Sequence, residues 1–258
     1  MEFGSVTELT AACRGRHVIV GSHGGAITAR YALACGVASV IFHDAGIGLD
    51  AAGVRALELL QAAGVPAAAV SHLTARIGDP RDMLARGRVS RCNPAAAALG
   101  AAPGVGAAEV AARFAAAPAR AAPCVAAAPF VPARYPLADD VTGLDSAAEL
   151  DSRDDGALVV TGSHGGLPGA DSHRAAKARP RFLAFNDAGR GADDAGVARL
   201  AVLAEQGLAA VAVDAFTARI GDARSSWETG VVSAVNAVAR ALGAAEGTPL
   251  RAAVAALR

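Results

Sequence analysis

The chain contains one unusual motif twice. The string VIVGSHGG covers residues 18–25, and VVTGSHGG covers residues 159–166. Beyond the motif, residues 43–100 align without a gap with residues 186–243, and 29 of the 58 aligned positions are identical. Alanine-rich composition alone does not produce that much identity, so the sequence indicates a tandem duplication. This repeat constrains the fold more than any other feature, because both copies should adopt the same structure.

The repeat predicts three segments. The first copy corresponds to residues 1–115 and the second to residues 146–258. Residues 116–145 lie between them and are rich in Ala and Pro, which predicts an extended connector. At 258 residues with 53% apolar content, the chain is long enough to form two small hydrophobic cores.

Short β-branched runs alternate with helical patterns in each copy. Strands are expected at RHVIVG and GALVVTG, at ASVIFHDAG and RFLAFNDAG, and at PAAAVSHLTA and AAVAVDAFTA. A helix is expected after each motif, after each second strand with Asp50 or Asp193 as N-cap, and at the end of each copy, where Asn93 and Pro94 suit the N-cap and first position. This alternation predicts an α/β fold of two similar parallel-sheet lobes with flanking helices, related by a pseudo-two-fold axis.

Composition excludes several classes of partner. Lys and Arg together number 24, as do Asp and Glu, and no basic run is interleaved with aromatic residues, so nucleic-acid binding is disfavoured. No apolar stretch is long enough for a membrane span, and the first residues lack the pattern of a signal peptide. We therefore expect a cytoplasmic protein with no membrane partner, and homo-oligomerisation stays open. The four cysteines follow no ligand-like spacing, which favours reduced thiols.

Polar residues that both copies retain occur where the predicted strands end. In an open parallel sheet the carboxyl ends of the strands share one edge, and ligands bind in the crevice there. We therefore expect side chains from several loops to converge on one site in each half. The shared pairs are Ser22/Ser163, His23/His164, Asp44/Asp187, Arg76/Arg219, Asp79/Asp222, Ser90/Ser233 and Asn93/Asn236.

The glycines of the motif predict an anion site. Gly24, Gly25, Gly165 and Gly166 would let backbone N–H groups face an anion or a developing oxyanion. The motif is neither a dinucleotide fingerprint nor a P-loop, so no nucleotide cofactor is predicted. The structural alternative is a tight turn that only closes a strand.

The Ser-His pair and the acid after the second strand are candidate catalytic groups. His23 and His164 are predicted as general acid, base or electrophile, with a purely structural role as the alternative. Ser22 and Ser163 are considered as nucleophiles, but a hydrogen-bond donor role is favoured because adjacent side chains rarely point at each other. Asp44 and Asp187 could orient a histidine, bind a hydroxyl group or act as base; an Asx-type turn is equally compatible.

The string TARIGD occurs identically in both copies and suggests carboxylate binding. Arg76 and Arg219 offer a planar fork that suits a carboxylate, while Asp79 and Asp222 could be their ion-pair partners or helix caps. Together with Ser90, Ser233, Asn93 and Asn236, these residues form the predicted substrate-binding set. No local His-x-x-x-His or Cys-x-x-Cys pair supports a metal site, so neither a metal nor any other cofactor is predicted. A divalent ion held by His and Asp side chains from different loops is the minority alternative.

These features predict a cofactor-independent enzyme that acts on a small carboxylate-bearing metabolite. Hydrolysis is slightly favoured over a lyase or isomerase reaction, because Ser, His and Asp are all present. The alternative is a non-catalytic ligand-binding or regulatory module. The sequence leaves open whether the two motif copies form one shared site or two separate ones.

Overall fold

Two mostly parallel β-sheets form the centre of the structure, one in each half of the chain. The computed structural model describes residues 1–118 and 133–257. In the first sheet the strands lie side by side in chain order, and the last strand is antiparallel to its neighbour. They are β1 (Glu2–Phe3), β2 (His17–His23), β3 (Ser39–His43), β4 (Ala67–Val70) and β5 (Val89–Cys92).

The second sheet has the strand order β11-β10-β9-β8-β7-β6, with antiparallel pairing only at its two ends. Its strands are β6 (Arg134–Ala138), β7 (Val141–Leu144), β8 (Leu158–His164), β9 (Phe182–Asn186), β10 (Ala209–Val213) and β11 (Val232–Val235). The expected α/β fold with mostly parallel sheets is therefore confirmed. Strands β6 and β7 were not predicted: they lie inside the expected connector, of which residues 119–132, with Cys124, fall outside the described residues.

Helices flank both sheets. They are α1 (Ala26–Cys35), α2 (Ala56–Ala62), α3 (Pro80–Arg86), α4 (Pro94–Ala97), α5 (Ala107–Ala116), α6 (Ala198–Glu205), α7 (Ala223–Thr229), α8 (Ala237–Ala241) and α9 (Leu250–Ala255). Asn93 caps α4 with Pro94 in its first turn, as predicted. Over residues 1–118 and 133–257, no helix has both the length and the apolarity needed to cross a bilayer.

The predicted N-caps Asp50 and Asp193 are wrong. Both residues adopt left-handed backbone conformations inside 3₁₀ turns, several residues before α2 and α6 begin. Their carboxylates instead form ion pairs with arginines of the opposite half.

The segments that follow the two motif copies differ. Helix α1 follows Gly25 in the first half, as expected, but residues 167–180 contain only two 3₁₀ turns, Pro168–Ala170 and Ser172–Arg174. The predicted helix is therefore wrong in the second half. Gly169 and Ala170 have positive φ angles of 69° and 55°, which a right-handed helix cannot contain.

Each sheet is buried on both faces. In the first half, Val18, Val20 and Phe42 pack on one face, while Ile19 and Ile41 pack on the other. The second half has the same arrangement of two apolar clusters. Continuous apolar strands are typical of parallel sheets covered on both sides, and here they place the strand ends on rigid elements.

The two halves meet through loops that follow β3 and β9. Residues 45–48 and 188–191 each form a left-handed turn, and a methyl group on Gly46 would lie only 2.9 Å from Cα of Gly189. The loops exchange reciprocal backbone hydrogen bonds with the opposite half, from Leu49 N–H to the Ala215 oxygen at 2.8 Å and from Ala192 N–H to the His72 oxygen at 2.7 Å. Non-glycine residues in this conformation cost about 1–2 kcal/mol each, so the surrounding contacts must hold them there.

Candidate functional site

A cavity of about 220 Å³ lies between the two halves, and both motif copies reach it. Ser22 and His23 line it from the first half, and Ser163 and His164 line it from the second. We refer to it as the shared cavity. Its volume is below the roughly 300–1,000 Å³ of pockets for drug-sized ligands, so it suits a small metabolite.

The ring orientation of both histidines is fixed by the motif itself. Gly25 N–H donates to Nδ1 of His23 at 3.1 Å, and Gly166 N–H donates to Nδ1 of His164 at 3.1 Å. Because an Nδ1 that accepts a hydrogen bond carries no proton, the neutral ring carries its proton on Nε2. Neither Nε2 has a hydrogen-bond partner within the described ranges, so each ring has one N–H donor left for a ligand.

Burial keeps both imidazoles neutral. The side chains are 5% and 6% exposed, respectively. Burial, with a contribution from His43, lowers the pKa of His23 to about 4. Burial also lowers the pKa of His164 well below its usual value, and the nearby positive charge of Arg199 lowers it further. At neutral pH the rings are hydrogen-bond donors at Nε2, and they are poorly suited to accept a proton.

The predicted oxyanion hole of glycine amides is not formed. Gly24 N–H donates to the His43 oxygen at 2.9 Å, Gly165 N–H donates to the Asn186 oxygen at 2.8 Å, and the second glycine of each motif binds its own histidine. A methyl group on Gly25 would lie 2.6 Å from Nδ1 of His23, so this position must be glycine for the ring to be held. The glycines orient the histidines, and the imidazole N–H groups are the available donors.

The two motif serines are braced by the backbone. The Oγ atoms of Ser22 and Ser163 accept hydrogen bonds at 2.9 Å from the N–H groups of Val6 and Ala147. In the part of the chain that the structure describes, neither hydroxyl bonds to a histidine, so neither has a base that would activate it as a nucleophile. Each hydroxyl retains a proton that a ligand in the cavity could accept.

Arg199 lines this site but is not among the residues predicted from the sequence. It lies at the start of α6, is only 4% exposed and lines the shared cavity. Nε and Nη2 donate to the Gly166 oxygen at 3.1 and 2.8 Å, and the guanidinium lies 4.8 Å above the ring of Phe185.

The charge of Arg199 has no carboxylate partner among the described residues. Burial, together with Arg174, lowers the pKa of Arg199 to about 10, so the group is still protonated at neutral pH. A buried cation without a counter-charge is unfavourable, and an anion in the adjacent cavity would neutralise it. One feature of the sequence could have identified Arg199 as a site residue. It aligns with Ala56, so a charged residue occupies a position where the first half has a small apolar one.

The remaining charged side chains of the cavity wall also come from the second half. Asp145 accepts hydrogen bonds at Oδ1, Arg174 forms an ion pair with Glu8 at 2.6 Å, and Lys177 donates to the Ala148 oxygen at 2.8 Å. The first-half wall consists of uncharged side chains, from Ser5 to Tyr31. Within the described ranges, the second half therefore supplies the charges that face the cavity.

Asp44 and Asp187 lie away from the shared cavity and hold the left-handed turns. Oδ1 of Asp44 accepts from the N–H groups of Gly46 and His72 at 3.1 and 2.8 Å, and Oδ1 of Asp187 makes the matching contacts with Gly189 and Ala215. Burial opposes ionisation of both. The hydrogen bond from His72 nevertheless lowers the pKa of Asp44, whereas the pKa of Asp187 is raised. Their contacts correspond to the Asx-turn alternative.

The two TARIGD strings form ion pairs across the interface. Arg76 pairs with Asp193 at 3.1 Å, and Arg219 pairs with Asp50 at 2.9 Å. Asp79 and Asp222 pair with these arginines and cap α3 and α7. None of the four side chains lines the shared cavity. The predicted role as substrate ligands therefore has no support in their contacts.

The remaining four predicted substrate ligands form hydrogen bonds with backbone groups. Ser90 and Ser233 donate to strand carbonyl oxygens at 3.3 and 3.4 Å. Asn93 and Asn236 are buried, cap α4 and α8, and connect those helices to neighbouring strands and loops. These four residues stabilise the fold at a distance from the cavity.

Over the described residues, no group of three or more His, Cys, Asp or Glu side chains could hold a metal ion.

Comparisons of the chain with protein-family models, curated proteins and solved structures found no match. Function must therefore be argued from the chemistry of the site itself.

Proposed function

We propose that this protein is a cofactor-independent enzyme that binds a small carboxylate-bearing metabolite in the shared cavity. Arg199 binds the carboxylate, and Nε2–H of His23 and His164 donates to a substrate oxygen that gains negative charge during the reaction. One observation carries the proposal: a buried guanidinium without a carboxylate partner lines the same small cavity as two neutral imidazole donors.

The proposal includes one composite site per chain, formed by two duplicated halves. In support, half of the aligned positions over residues 43–100 are identical, and strands β2–β5 and β8–β11 follow one another in the same order across their sheets. Both motif copies also line one cavity. A duplicated pair of lobes related by a pseudo-two-fold axis accounts for all three observations.

Within this proposal, a lyase or isomerase reaction is favoured over hydrolysis. Hydrolysis by a serine nucleophile needs a base beside the hydroxyl, but Ser22 and Ser163 accept backbone N–H groups and the histidines carry their protons on Nε2. An enolate intermediate instead needs donors at the developing oxyanion and a cation at the carboxylate. The cavity contains both.

Binding of simple carboxylates tests this function. Pyruvate and malonate should bind the wild-type protein in calorimetric titrations, and uncharged pyruvamide should bind far more weakly. Arg199→Met should weaken carboxylate binding about 30-fold or more, because removing one partner of a buried charge pair typically costs about 2–5 kcal/mol. Arg55→Met is the matched control, since Arg55 is exposed, pairs with Glu58 and lies one position before the residue aligned with Arg199.

Two outcomes of these titrations would contradict the proposal. One is equal affinity of the wild-type and Arg199→Met proteins for malonate, and the other is equal affinity for pyruvate and pyruvamide. Binding of substrates without any chemical change in them would favour the alternative, a ligand-binding module, over an enzyme.

A further inference from the structure

Asp145 is the carboxylate of the shared cavity wall within the described residues. It directly follows β7, at a position that aligns with Gly4 of the first half. The first half therefore has no equivalent group, and the cavity receives this carboxylate from one side only. Asp145 was therefore not among the predicted site residues, all of which occur at both aligned positions.

The motif histidines, the motif serines and Arg199 are poorly suited to take a proton from a substrate. The other histidine of the cavity wall, His173, is exposed to solvent. His23 and His164 have Nδ1 occupied by a backbone N–H and carry a proton on Nε2. Arg199 is a cation, and the serine hydroxyls have no activating base. An enzyme that forms an enolate in this cavity still needs a base, and a carboxylate can be one.

Two hydrogen bonds fix the orientation of the Asp145 carboxylate. The hydroxyl of Tyr135 donates to Oδ1 at 2.6 Å, and the N–H of Ala223 donates to the same oxygen at 3.2 Å. The Tyr135 hydroxyl also accepts from the N–H of Arg224 at 3.1 Å, which holds it in place. Oδ1 is thus engaged, and Oδ2 is the oxygen left for a ligand.

We propose that Asp145 is the catalytic base of the shared cavity, that Tyr135 is its positioning residue, and that the substrate is a small oxo acid. This inference rests on the function proposed above. Arg199 binds the carboxylate of the oxo acid, and the two imidazole N–H groups bind its carbonyl oxygen. That arrangement leaves the carbon next to the carbonyl group for Oδ2 of Asp145.

The proposed step is a proton transfer without a redox partner. Oδ2 of Asp145 takes a proton from the carbon next to the carbonyl, and the electron pair of the C–H bond forms the C=C bond of an enolate. The C=O π pair moves to the oxygen, whose negative charge is stabilised by Nε2–H of His23 and His164. Return of the proton from Asp145 to carbon restores the oxo acid or gives its isomer, so no other reactant is required.

Exchange of carbon-bound protons with solvent tests this step directly. Pyruvate, 2-oxobutyrate and acetoacetate are incubated with the protein in D₂O, and loss of the proton signal next to the carbonyl is followed by NMR. Wild-type protein should accelerate exchange of at least one probe above the buffer rate. Asp145→Asn should reduce that acceleration about 100-fold or more, within the range expected for a general base, while probe affinity stays within a few-fold.

Tyr135→Phe and Asp139→Asn, together with Asp145→Asn, separate an effect on catalysis from an effect on folding. The side-chain oxygen of Asn in Asp145→Asn can still accept the hydrogen bonds from Tyr135 and Ala223, so the local fold is preserved. Tyr135→Phe should lower kcat for exchange several-fold with little change in KM, because it removes the group that orients Oδ1. Asp139→Asn is the matched control, since Asp139 is an exposed residue of the same hairpin.

The results distinguish this inference from the proposed function. If Asp145→Asn exchanges as fast as wild type, or if wild type accelerates exchange of none of the probes, the inference is overturned. In either case, Arg199-dependent carboxylate binding would still support the proposed function. Loss of exchange in Asp145→Asn with retained binding supports both.

Discussion

The two motif copies differ in how the carbonyl oxygen of their last glycine is hydrogen-bonded. After the first motif, helix α1 begins, and the Gly25 oxygen accepts from Ala29 N–H at 3.3 Å and from the Thr28 hydroxyl at 2.7 Å. After the second motif there is no helix, and the Gly166 oxygen accepts instead from the guanidinium of Arg199. One half satisfies a carbonyl with a local helix start, and the other does so with a buried cation.

This difference makes the cavity wall unequal. Helix α1 contributes Ile27, Thr28 and Tyr31, whereas residues 167–180 contribute His173, Arg174 and Lys177. The first half thus provides a rigid, uncharged wall, and the second provides charge. The two halves therefore differ in charge at the cavity, although 29 of the 58 positions aligned between residues 43–100 and 186–243 are identical.

Low pH should destabilise the protein through His23 in the first half and His164 in the second. Of the changes predicted here in the free energy of unfolding, this is the largest. A histidine with a lowered pKa in the folded state adds no pH dependence above about pH 6.5. As the pH falls below that value, the unfolded state binds protons that the folded state does not, so the free energy of unfolding decreases. For His23 the shift from 6.5 to about 4 corresponds to roughly 3 kcal/mol lost by pH 4.

Urea unfolding of the wild-type, His23→Gln and His164→Gln proteins at pH 7 and pH 4 measures this loss. Each Gln variant should lose less stability on acidification than wild type, and the difference should be at least as large for His164, which Arg199 also disfavours from charging. Identical losses in wild type and both variants would show that the imidazoles are not held neutral.

Thr28→Val should affect stability but not binding. It removes one of the two donors to the Gly25 oxygen and retains the shape of the side chain, so we expect a loss of about 1 kcal/mol in the free energy of unfolding. Malonate affinity should stay within about threefold, in contrast to Arg199→Met, which removes the corresponding donors in the second half. A loss of binding comparable to that of Arg199→Met would mean that the two halves are not unequal in the way proposed.

Glu8→Gln should produce the smallest change. It removes the partially exposed charge that pairs with Arg174, while the amide oxygen can still accept from Ser5 N–H. The released Arg174 should raise malonate affinity about two- to threefold at low ionic strength, and salt should reduce the gain. Titrations at two salt concentrations measure the effect, and weaker malonate binding at low salt would contradict it.

The central strands were predictable, but several outer strands were not. Strands β2, β3, β8 and β9 contain β-branched or aromatic runs that end near glycine or a polar residue, which is a strong local signal. Strand β6 contains Pro136, which is compatible with an edge strand but gives no positive signal for one. A helix was predicted after Gly166 because the similar sequence after Gly25 was expected to fold in the same way, but the structure has no helix there.

The candidate site was only partly predictable, because a polar residue can occur at both aligned positions either for a site or for the fold. His23 and His164 do line one cavity, yet Asp44 and Asn93 form hydrogen bonds with backbone groups and do not line it. Arg199 and Asp145 are each present in one half only. Such residues are recognisable once the fold is known, because they are polar groups where the aligned position is small and uncharged.

The reciprocal hydrogen bonds between the loops after β3 and β9 have a consequence for biosynthesis. Leu49 and Ala192 find their acceptors only in the opposite half of the chain, so the first half leaves the ribosome with these contacts unmade and with a single wall of the cavity in place. The complete cavity can form only after the second half has been translated and has docked. The time at which a newly made molecule has a complete cavity is therefore set by the rate of elongation as well as by the stability of the finished fold.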